Sequence, residues 1–573
     1  QKALSINPDY DSAHINIGLI LQEQGQLDQA AAILRKVITL NPSLAEAHNN
    51  LGNIHQVTGA LDESVANFQT VLSLNPHFTN AFSNLLLTFQ AFCYEILTKD
   101  RELSYLEQII GTLPTPPEPN ILRLRVMGLT GGNVEEAWEQ VTDNMPTVAS
   151  ETIANDVKQV GPSSVRTQVG SDRRVVALLH FGRSGSGYLH SLLDGHRSIS
   201  TLPGVYMSGF FGREVWSRIR SDGFKGIPEQ FSSLYKVLFD ARSPDKVPPA
   251  FITDTFAERS VGEREGFVKM GPNRDTPLTL DRDQFVNTLG TILGDLGSIN
   301  QGQFFEALHH AYEETLGHDF EDKRLIFYHL HKNDPYSMAN FLKYFPQASL
   351  LMIIRNPVQS CEAWVSGSII ENHDNIYKTY SYIVSVMSSM LMDVNSPVYS
   401  KQGLVAVRLE DIKRAPEQTM GRLCDYFGIE EAPSLYESTM QGLKWWGDPS
   451  STLYGRTQTE YDKTTDPTSA EVGTFFSSKD RMILETLFYP LSVRFGYVEE
   501  DGDQFREDLS AVRPLLDTPL DFEERLSEGF SADYPSLPMT GAFKHLHAVL
   551  LSLWTLLDEH GTYPYMTKVL PGG

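Results

Sequence analysis

One stretch of the chain, residues 175–193, has the residue types and the spacing of a site that binds a phosphate group. It begins with an apolar, β-branched run, continues with a turn of small residues and ends in a segment with helical apolar spacing, which predicts a strand, a tight loop and a helix. Glycines let such a loop turn closely around an anion, while backbone N–H groups and the positive end of the helix dipole point into one concavity. Arg183 adds a permanent charge, and Ser184 and Ser186 add hydroxyl donors.

The loop differs from the phosphate loop of most nucleoside triphosphatases. That loop ends in Lys-Ser or Lys-Thr, and no such pair closes this one, which argues against an ATP site. The sequence Phe-Gly-Arg-Ser-Gly-Ser-Gly instead resembles the loop with which sulfotransferases hold the 5′-phosphosulfate of 3′-phosphoadenosine-5′-phosphosulfate (PAPS). Its arginine form is that of tyrosylprotein sulfotransferases and of bacterial sulfotransferases fused to tetratricopeptide repeats. The resemblance implies that the donor is bound by Arg183, Ser184, Gly185, Ser186, Gly187 and Tyr188.

A second anchor follows an apolar strand pattern at 348–354. This strand runs into Arg-Asn-Pro and then a helical segment, which resembles the sulfotransferase site for the 3′-phosphate that distinguishes PAPS from ATP. In that family an arginine and a serine eight residues later grip the phosphate. Arg355 fits this pattern, but the eighth residue on is Ala363. Ser360, one helical turn earlier, is the expected substitute, and Ser366 is the alternative.

Residues 324–331 read as a strand that leads into a loop. Period-two alternation brings a histidine to the open end of this strand, where open α/β sheets hold their chemistry. The resemblance to cytosolic sulfotransferases implies that His331 is the general base, with His329 as its substitute and Lys332 as an aid to the leaving phosphate. The ordinary pKa of histidine suits that role, and the alternative is a histidine bonded to a neighbouring backbone group. Tyrosylprotein sulfotransferases instead carry a glutamate after the first helix, and residues 201–205 contain none.

Two further stretches, 403–428 and 472–497, look like the family's strand, Glu-Asp turn and helix and its closing loop and last helix. The resemblance therefore spans about 173–498 and implies a P-loop-like, three-layer α/β domain with a parallel sheet. It also implies PAPS as donor, 3′-phosphoadenosine-5′-phosphate (PAP) as product and no metal, and the sequence has neither HExxH nor paired CxxC spacing. Aromatic residues at 206–211 are expected either to line the acceptor pocket or to belong to the core.

The first part of the chain repeats itself. Asn-Pro pairs begin at Asn7, Asn41 and Asn75, which are 34 residues apart, and glycines at 18 and 52 fall in the same phase. A period of 34 residues with small residues where helices cross resembles tetratricopeptide repeats. The resemblance covers residues 1 to about 95, with helical packing expected to about 110.

Asparagines occupy equivalent places in the three units, at Asn16, Asn50 and Asn84. Stacking of the units would put them in a row on one face, where a ladder of carboxamides can bind a peptide backbone. The surrounding sequence looks like the repeats of protein glycosyltransferases that use asparagines in this way. The alternatives are that each asparagine bridges neighbouring helices, or that the array forms a homodimer.

Composition limits the classes of partner. With 47 basic and 72 acidic residues the formal net charge is −25, which argues against a general binder of nucleic acid, acidic membranes or sulfated polysaccharides. The three cysteines indicate neither a disulfide framework nor a zinc site, and no apolar run is long enough to span a membrane. We expect a cytoplasmic protein, although a removed targeting segment would leave no trace in this sequence.

The sequence thus predicts an α plus α/β multidomain chain. Its expected parts are repeats at 1–111, a proline-rich break and connector at 112–172, a sulfotransferase domain at 173–500 and a helical appendage at 501–573. The expected function is PAPS-dependent sulfuryl transfer to a hydroxyl or amine of a small-molecule or protein acceptor, with the repeats recruiting substrate or partner. The alternative is a repeat scaffold that binds nucleotide without catalysis. A nucleotide kinase is disfavoured by the missing lysine.

Overall fold

The structure of the chain is a computed structural model. The residues that the structure describes are 10–76, 78–113, 118–154, 173–182, 184–204, 206–249, 259–330, 334–371, 376–447, 449, 475–528 and 543–571. The chain forms two compact units: the first comprises residues 1–144, 356–398 and 471–566, and the second comprises residues 145–355, 399–470 and 567–573.

Helices make up most of the described structure. The α-helices are α1 Asp11–Glu23, α2 Leu27–Leu40, α3 Ala45–Thr58, α4 Leu61–Leu74, α5 Thr79–Leu97, α6 Leu103–Gly111, α7 Glu118–Thr130, α8 Val134–Asp143, α9 Val148–Glu151, α10 Ser186–Leu193, α11 Val215–Ile219, α12 Ile227–Leu234, α13 Val261–Arg264, α14 Arg282–Leu296, α15 Gln301–Thr315, α16 Pro335–Tyr344, α17 Pro357–Glu371, α18 Ile376–Asp393, α19 Pro397–Lys401, α20 Leu409–Arg414, α21 Pro416–Phe427, α22 Ser478–Arg494, α23 Gly502–Val512, α24 Asp521–Glu528 and α25 Lys544–His560. Short 3₁₀ helices lie at Phe224–Gly226, Lys236–Leu238, Phe320–Asp322, Pro433–Tyr436 and Arg513–Asp517. None of the described helices combines the length and the apolar character needed to cross a bilayer.

All described strands lie in the second unit. They are β1 Ile153–Ala154, β2 Arg174–His180, β3 Ile199–Thr201, β4 Ser298–Ile299, β5 Leu325–His329, β6 Ser349–Ile354, β7 Val405–Arg408, β8 Thr439–Met440, β9 Leu443–Lys444 and β10 Lys568–Val569. Within the described residues, six of them form a parallel sheet in the order β10-β7-β6-β2-β5-β3. The sequence predicted a parallel sheet, and the structure confirms it.

Helices cover both faces of this sheet. On one face, apolar side chains of β2 and β6, such as Leu178 and Ile353, pack with α10 and α21. On the other face, Tyr328 of β5 contacts the rings of Phe305 and Phe341 on α15 and α16 at centroid distances of 5.1 and 5.6 Å. Because both faces are buried, the strands read as continuous apolar runs rather than as alternating ones.

The repeats lie in the first unit, where α1 to α4 form two helical hairpins. Their glycines are needed where paired helices touch: a Cβ on Gly52 would lie 2.7 Å from Cε1 of Phe68, and one on Gly18 would lie 3.3 Å from Leu34. The expectation of small residues at helix crossings therefore has a direct steric basis.

The C-terminal part of the first unit packs on the repeat array. In α25, Nδ1 of His545 lies 2.8 Å from the Leu87 carbonyl oxygen of α5, and Nζ of Lys544 lies 2.8 Å from a carboxylate oxygen of Glu95. The sequence predicts a helical tail from residue 501, and the described tail has α23 to α25 but also β10, which pairs in parallel with β7. The compact units thus join segments that are distant in the sequence, and the expected domain boundaries stay a prediction.

Candidate functional site

The predicted phosphate loop connects β2 to α10 in the second unit. Gly182 and Gly185 have φ angles of 57° and 88°, in the left-handed region that favours glycine. A Cβ on Gly185 would lie 2.8 Å from Cδ1 of Leu409, the first residue after β7. Glycine at position 185 is therefore required both by the backbone conformation and by the close approach of Leu409.

Hydrogen bonds inside the loop fix its shape. The Ser184 N–H donates to the Gly182 carbonyl oxygen at 2.8 Å, and the Ser184 hydroxyl accepts from the Phe181 N–H at 3.2 Å. The N-cap of α10 is Gly185, so no side chain caps this helix. Because glycine has no side chain, the cap residue itself offers no acceptor to the N–H groups at the positive end of the helix. The Ser184 hydroxyl thus helps to hold the turn while its own O–H stays able to donate, and its role in binding the donor stays a prediction.

The remaining predicted loop residues differ in exposure. Ser186 is buried, and Gly187 and Tyr188 are half-buried. A Cβ on Gly187 would come within 3.4 Å of Cη2 of Trp445, so this indole borders the first turn of α10. Arg183 lies outside the described residues.

The order of the strands brings the phosphate loop and Arg355 to the same edge of the sheet, the one formed by the carboxyl ends of the strands. From β2 the chain proceeds to β3 on one side, whereas from the adjacent β6 it proceeds to β7 on the other side. Ligands of open α/β sheets bind where the strand order reverses in this way, beyond the carboxyl ends of the strands. The last residues paired between these strands are His180 and Ile353, so the loop that contains Gly182 and the segment that begins at Arg355 leave neighbouring strands at the same end. Neighbouring strands are about 4.8 Å apart, which is close enough for one nucleotide to bridge both positions.

Lys413 is a cation at this edge that sequence reasoning missed. It lies on α20, one helical turn after Leu409, and Ile354 is paired with Arg408 at the end of β7. The pKa of Lys413 is lowered to about 8, mainly by burial and also by the nearby Arg355 guanidinium, while Glu410 acts in the opposite direction. The influence of Arg355 on Lys413 depends on the pairing of β6 with β7. No local pattern in the sequence therefore identifies Lys413 as part of the site.

The serines considered for the 3′-phosphate lie on α17, in the first unit. Ser360 is fully buried, and its N–H donates to the Asn356 carbonyl oxygen at 2.9 Å. Ala363 and Ser366 are half-buried. The assignment of Ser360 as the substitute serine stays a prediction.

Of the residues predicted for proton transfer, His331 and Lys332 lie outside the described residues. His329 is the last residue of β5, is 3% exposed, and its ring centroid lies 5.7 Å from that of His190. This burial makes His329 a poor substitute for a base that must reach an acceptor.

Two buried histidines interact near the loop helix, His190 on α10 itself and His309 on α15. His190 is 0% exposed, and neither of its ring nitrogens has a hydrogen-bond partner among the described residues. Burial lowers the pKa of His190 to about 4, against the opposing effect of the Asp194 carboxylate. Nδ1 of His309 lies 2.9 Å from the Ser200 hydroxyl, and burial lowers the pKa of His309 to about 3, with His190 and Lys323 adding to the effect. His190 and His309 are therefore both neutral at physiological pH.

The aromatic residues at 206–211 belong to the core. Phe210 and Phe211 are fully buried, and the Phe211 ring contacts Phe305, Tyr328 and Phe341 at centroid distances of 5.3 to 5.7 Å. Of the two expectations for this stretch, the structure favours the core.

The three repeat asparagines differ in exposure. Asn16 is exposed, Asn84 is half-buried and Asn50 is 7% exposed. The buried Asn49, which we did not single out, joins two of them: it donates to Oδ1 of Asn50 at 3.4 Å and accepts from Nδ2 of Asn84 at 3.3 Å. Asn84 thus bridges α5 to α3 through Asn49, and a role of the repeat asparagines in binding peptide stays a prediction.

For the residues described, no three His, Cys, Asp or Glu side chains form a group that could hold a metal ion.

Comparison with known proteins identifies the repeats. Residues 21–59 match a sequence model described as TPR repeat, and residues 45–78 match one described as tetratricopeptide repeat. No curated protein matches the chain.

Some solved structures resemble the chain at low identity. The sulfotransferase domain from the Synechococcus PCC 7002 olefin synthase is 14% identical, with 47% of this chain and 77% of that chain covered and a TM-score of 0.28. The sulfotransferase domain from the curacin biosynthetic pathway is 15% identical, with 47% and 78% covered and a TM-score of 0.25. A mutant O-GlcNAc transferase of Thermobaculum terrenum is 14% identical, with 98% and 94% covered and a TM-score of 0.18. Likenesses at such TM-scores establish no shared fold, whereas the sequence matches identify residues 21–78 as tetratricopeptide repeats.

Proposed function

We propose that the chain is a PAPS-dependent sulfotransferase whose repeats recruit the substrate or a partner. The observation that supports this proposal is the pairing of β2 with β6, because the loop after β2 and Arg355 after β6 follow adjacent parallel strands at the edge where the strand order reverses. Lys413 adds a second cation near Arg355. A nucleotide with phosphates at both ends suits an amide-lined loop and a pair of cations on adjacent strands.

The donor would bind across these two positions. Arg183 and the N–H groups in the first turn of α10 hold the 5′-phosphate, and Arg355 holds the 3′-phosphate. The glycine at 185, where a Cβ would meet Leu409, fits a loop that closes around an anion. PAPS supplies the sulfuryl group, and the positive charge of the loop stabilises the oxygen that leaves with the 5′-phosphate.

The acceptor needs a group that takes its proton. We assign His331 as this general base and Lys332 as an aid to the leaving phosphate, because His331 follows β5, whose end lies next to the loop strand β2. The burial of His329 against His190 supports the choice of His331. The acceptor is a hydroxyl or an amine of a small molecule or of a protein.

The repeats form a separate binding element. Tetratricopeptide arrays bind extended partners along one face, and we propose that Asn16 and Asn84, the more exposed of the repeat asparagines, contact a peptide there. Replacing both by alanine would abolish capture of this peptide and leave nucleotide binding unchanged.

Calorimetry with PAP, ADP and 5′-AMP tests the nucleotide site. We expect PAP to bind at least about tenfold more tightly than the others, because only PAP offers a 3′-phosphate to Arg355. Arg183→Ala and Arg355→Ala should each weaken binding of PAP, while His331→Ala should leave it intact and slow turnover. Equal affinities for PAP and ADP would contradict the proposal.

A scaffold without catalysis is the second candidate, and the alanine at 363 in place of the family's serine favours it. Incubation with ³⁵S-labelled PAPS and a cell extract separates the two candidates. A labelled product supports the transferase and shows which fraction holds the acceptor. Tight binding of PAP with no labelled product would favour the scaffold.

A further inference from the structure

A buried carboxylate lies at the C-terminal end of α10. Asp194 is 4% exposed and accepts hydrogen bonds from the hydroxyl groups of Thr201 and Thr439 at 3.1 and 2.9 Å. It also accepts from the N–H groups of Gln441 and Gly442, in the turn between β8 and β9, at 3.2 and 3.0 Å. These four donors offset the charge of Asp194 and fix α10, β3 and the hairpin of β8 and β9 relative to one another.

Three buried side chains near Asp194 have polar atoms with no hydrogen-bond partner among the described residues. These atoms are both ring nitrogens of His190, Nε2 of His309 and the Tyr312 hydroxyl, and the three side chains are 0, 1 and 2% exposed. His190 lies one turn before Asp194 on α10, and His309 and Tyr312 lie one turn apart on α15. Burial lowers the pKa of His190 and raises that of Tyr312, and the Asp194 carboxylate also acts on both. The polar atoms without partners therefore lie in one region of the fold.

Gln441 adds a further polar atom to this region. Its Nε2 is buried and has no partner among the described residues, although the Gln441 side chain lies beside the Tyr312 hydroxyl. The two groups are thus neighbours that do not bond to each other with normal geometry. The Gln441 residue is half-buried, so it forms the end of this region that is nearest to solvent.

The chemistry of these atoms specifies what would bind to them. Buried polar groups of folded proteins are nearly always bonded to protein or to ordered water, because an unmet donor or acceptor keeps the full cost of its lost hydration. A neutral imidazole has one donor and one acceptor, a hydroxyl has both, and an amide nitrogen only donates. Nδ1 of His309 already lies 2.9 Å from the Ser200 hydroxyl, which leaves Nε2 for another partner. The ligand must therefore be able both to donate and to accept.

The charges of the region favour a neutral ligand. The Asp194 carboxylate is already met by four donors. Lys323 and Glu313, which act on the pKa of His309 and Tyr312 after burial, are paired with each other at 3.1 Å. An ion among these side chains would therefore have no opposite charge to offset it. Water is neutral, donates and accepts, and is small enough to lie between packed side chains.

We propose that buried water molecules bind among His190, His309, Tyr312 and Gln441, at a site distinct from that for the donor. The helix α10 has 8 residues, so its C-terminal end lies about 12 Å from the phosphate loop at its N-terminal end. The water molecules complete the hydrogen bonds of the polar side chains around Asp194. This water site is independent of the proposed sulfotransferase activity.

A crystal structure of the full chain, at a resolution that shows ordered water, tests the site. We expect electron density for water within hydrogen-bond distance of His190, His309 and Tyr312. Direct hydrogen bonds from these side chains to other protein groups, with no water between them, would overturn the proposal. A site without electron density for water would overturn it as well.

A stability measurement gives a second test, in which the sign of the effect decides. If water bonds to the Tyr312 hydroxyl, Tyr312→Phe should lower the ratio of folded to unfolded protein about fivefold, because a hydrogen bond is lost. If the hydroxyl has no partner, its removal should leave this ratio unchanged or raise it, and that result would refute the site. Tyr426→Phe, at a half-buried tyrosine of the same unit, is the control and should unfold like the wild type. Urea unfolding gives the ratios.

Gln441→Leu tests whether Gln441 and Tyr312 bind the same water. Its effect on the ratio of folded to unfolded protein should be smaller in Tyr312→Phe protein than in the wild type, since the first substitution has already removed a partner of that water. Equal effects in the two backgrounds would contradict a shared site. These measurements need no nucleotide, so they judge the water site separately from the sulfotransferase proposal.

Discussion

Gly185 and Leu409 are in such close contact that residue 185 has no room for a side chain, since a Cβ there would lie 2.8 Å from Cδ1 of Leu409. The contact joins the loop after β2 to the residue that follows β7, although β6 lies between these two strands. The loop is therefore held in place by an element more than 200 residues later in the sequence.

The first prediction concerns this contact. Gly185→Ala should lower the free energy of unfolding by about 2–4 kcal/mol, because a left-handed backbone and an overpacked contact both disfavour alanine. It should also weaken binding of PAP. Gly428→Ala is the matched control: its φ is 69° but no atom lies within 4 Å of the added Cβ, so we expect a loss of only about 1–2 kcal/mol. Urea unfolding gives both values, and equal losses in the two variants would refute the steric part of this explanation.

The second prediction concerns Lys413. Because the pKa of Lys413 is lowered to about 8, mainly by burial, the side chain is charged at pH 7 and largely neutral at pH 9. If Lys413 contributes to the anion site, the affinity for PAP should fall about tenfold between pH 7 and pH 9. The Lys413→Met variant should bind PAP weakly at both pH values. Arg414→Met, at an exposed position on the same helix, should retain the pH dependence of the wild type. Calorimetry at the two pH values checks this, and a pH dependence that survives in Lys413→Met would assign it to another group.

The third prediction concerns acid sensitivity. Burial lowers the pKa of His190 from 6.5 to about 4, so the unfolded chain binds a proton here before the folded one does. The free energy of unfolding should fall as the pH decreases from about 6.5 to 4, and below pH 4 this residue should cause no further loss. At about 1.4 kcal/mol per pKa unit, the total loss is about 3 kcal/mol. Between these pH values the slope of unfolding free energy against pH should be smaller in His190→Leu by up to about 1.4 kcal/mol per pH unit. A variant with the same slope as the wild type would show that His190 does not titrate in this way.

The fourth prediction concerns the repeats. Gly52→Ala should destabilise the protein by about 1–3 kcal/mol, because its Cβ would lie 2.7 Å from the Phe68 ring in a packed helix crossing. Gly290→Ala, in the middle of α14 with no atom within 4 Å of the new Cβ, should instead stabilise it by about 0.5–1 kcal/mol through helix propensity. Thermal unfolding of the two variants should therefore shift in opposite directions.

The sequence was sufficient for features that depend on local patterns. The strands that end at His180 and at Ile354 were both predicted, because apolar runs and turn residues mark them directly. The helix Ser478–Arg494 was expected only from the family resemblance of residues 472–497. The repeats were predicted from their period, and the sequence matches confirm them. Both kinds of signal are carried by residues close together in the chain.

What the sequence did not reveal depends on contacts between distant segments. Lys413 gains its meaning from Arg355 only through the pairing of β6 with β7. The β8–β9 hairpin is likewise held by a distant residue, because the Gly442 N–H donates to the Asp194 carboxylate. In each case the residue type was visible and its partner was not.

Strand β10 has a consequence for biosynthesis. It is formed by Lys568 and Val569, which pair with Val405 and Ala406 of β7. During translation the ribosome must add more than 150 residues after β7 before this partner emerges, so the outer row of peptide groups on β7 stays open in the nascent chain. Such an open edge can pair with strands of other molecules, and a chaperone that shields it during this interval would protect the growing polypeptide from aggregation.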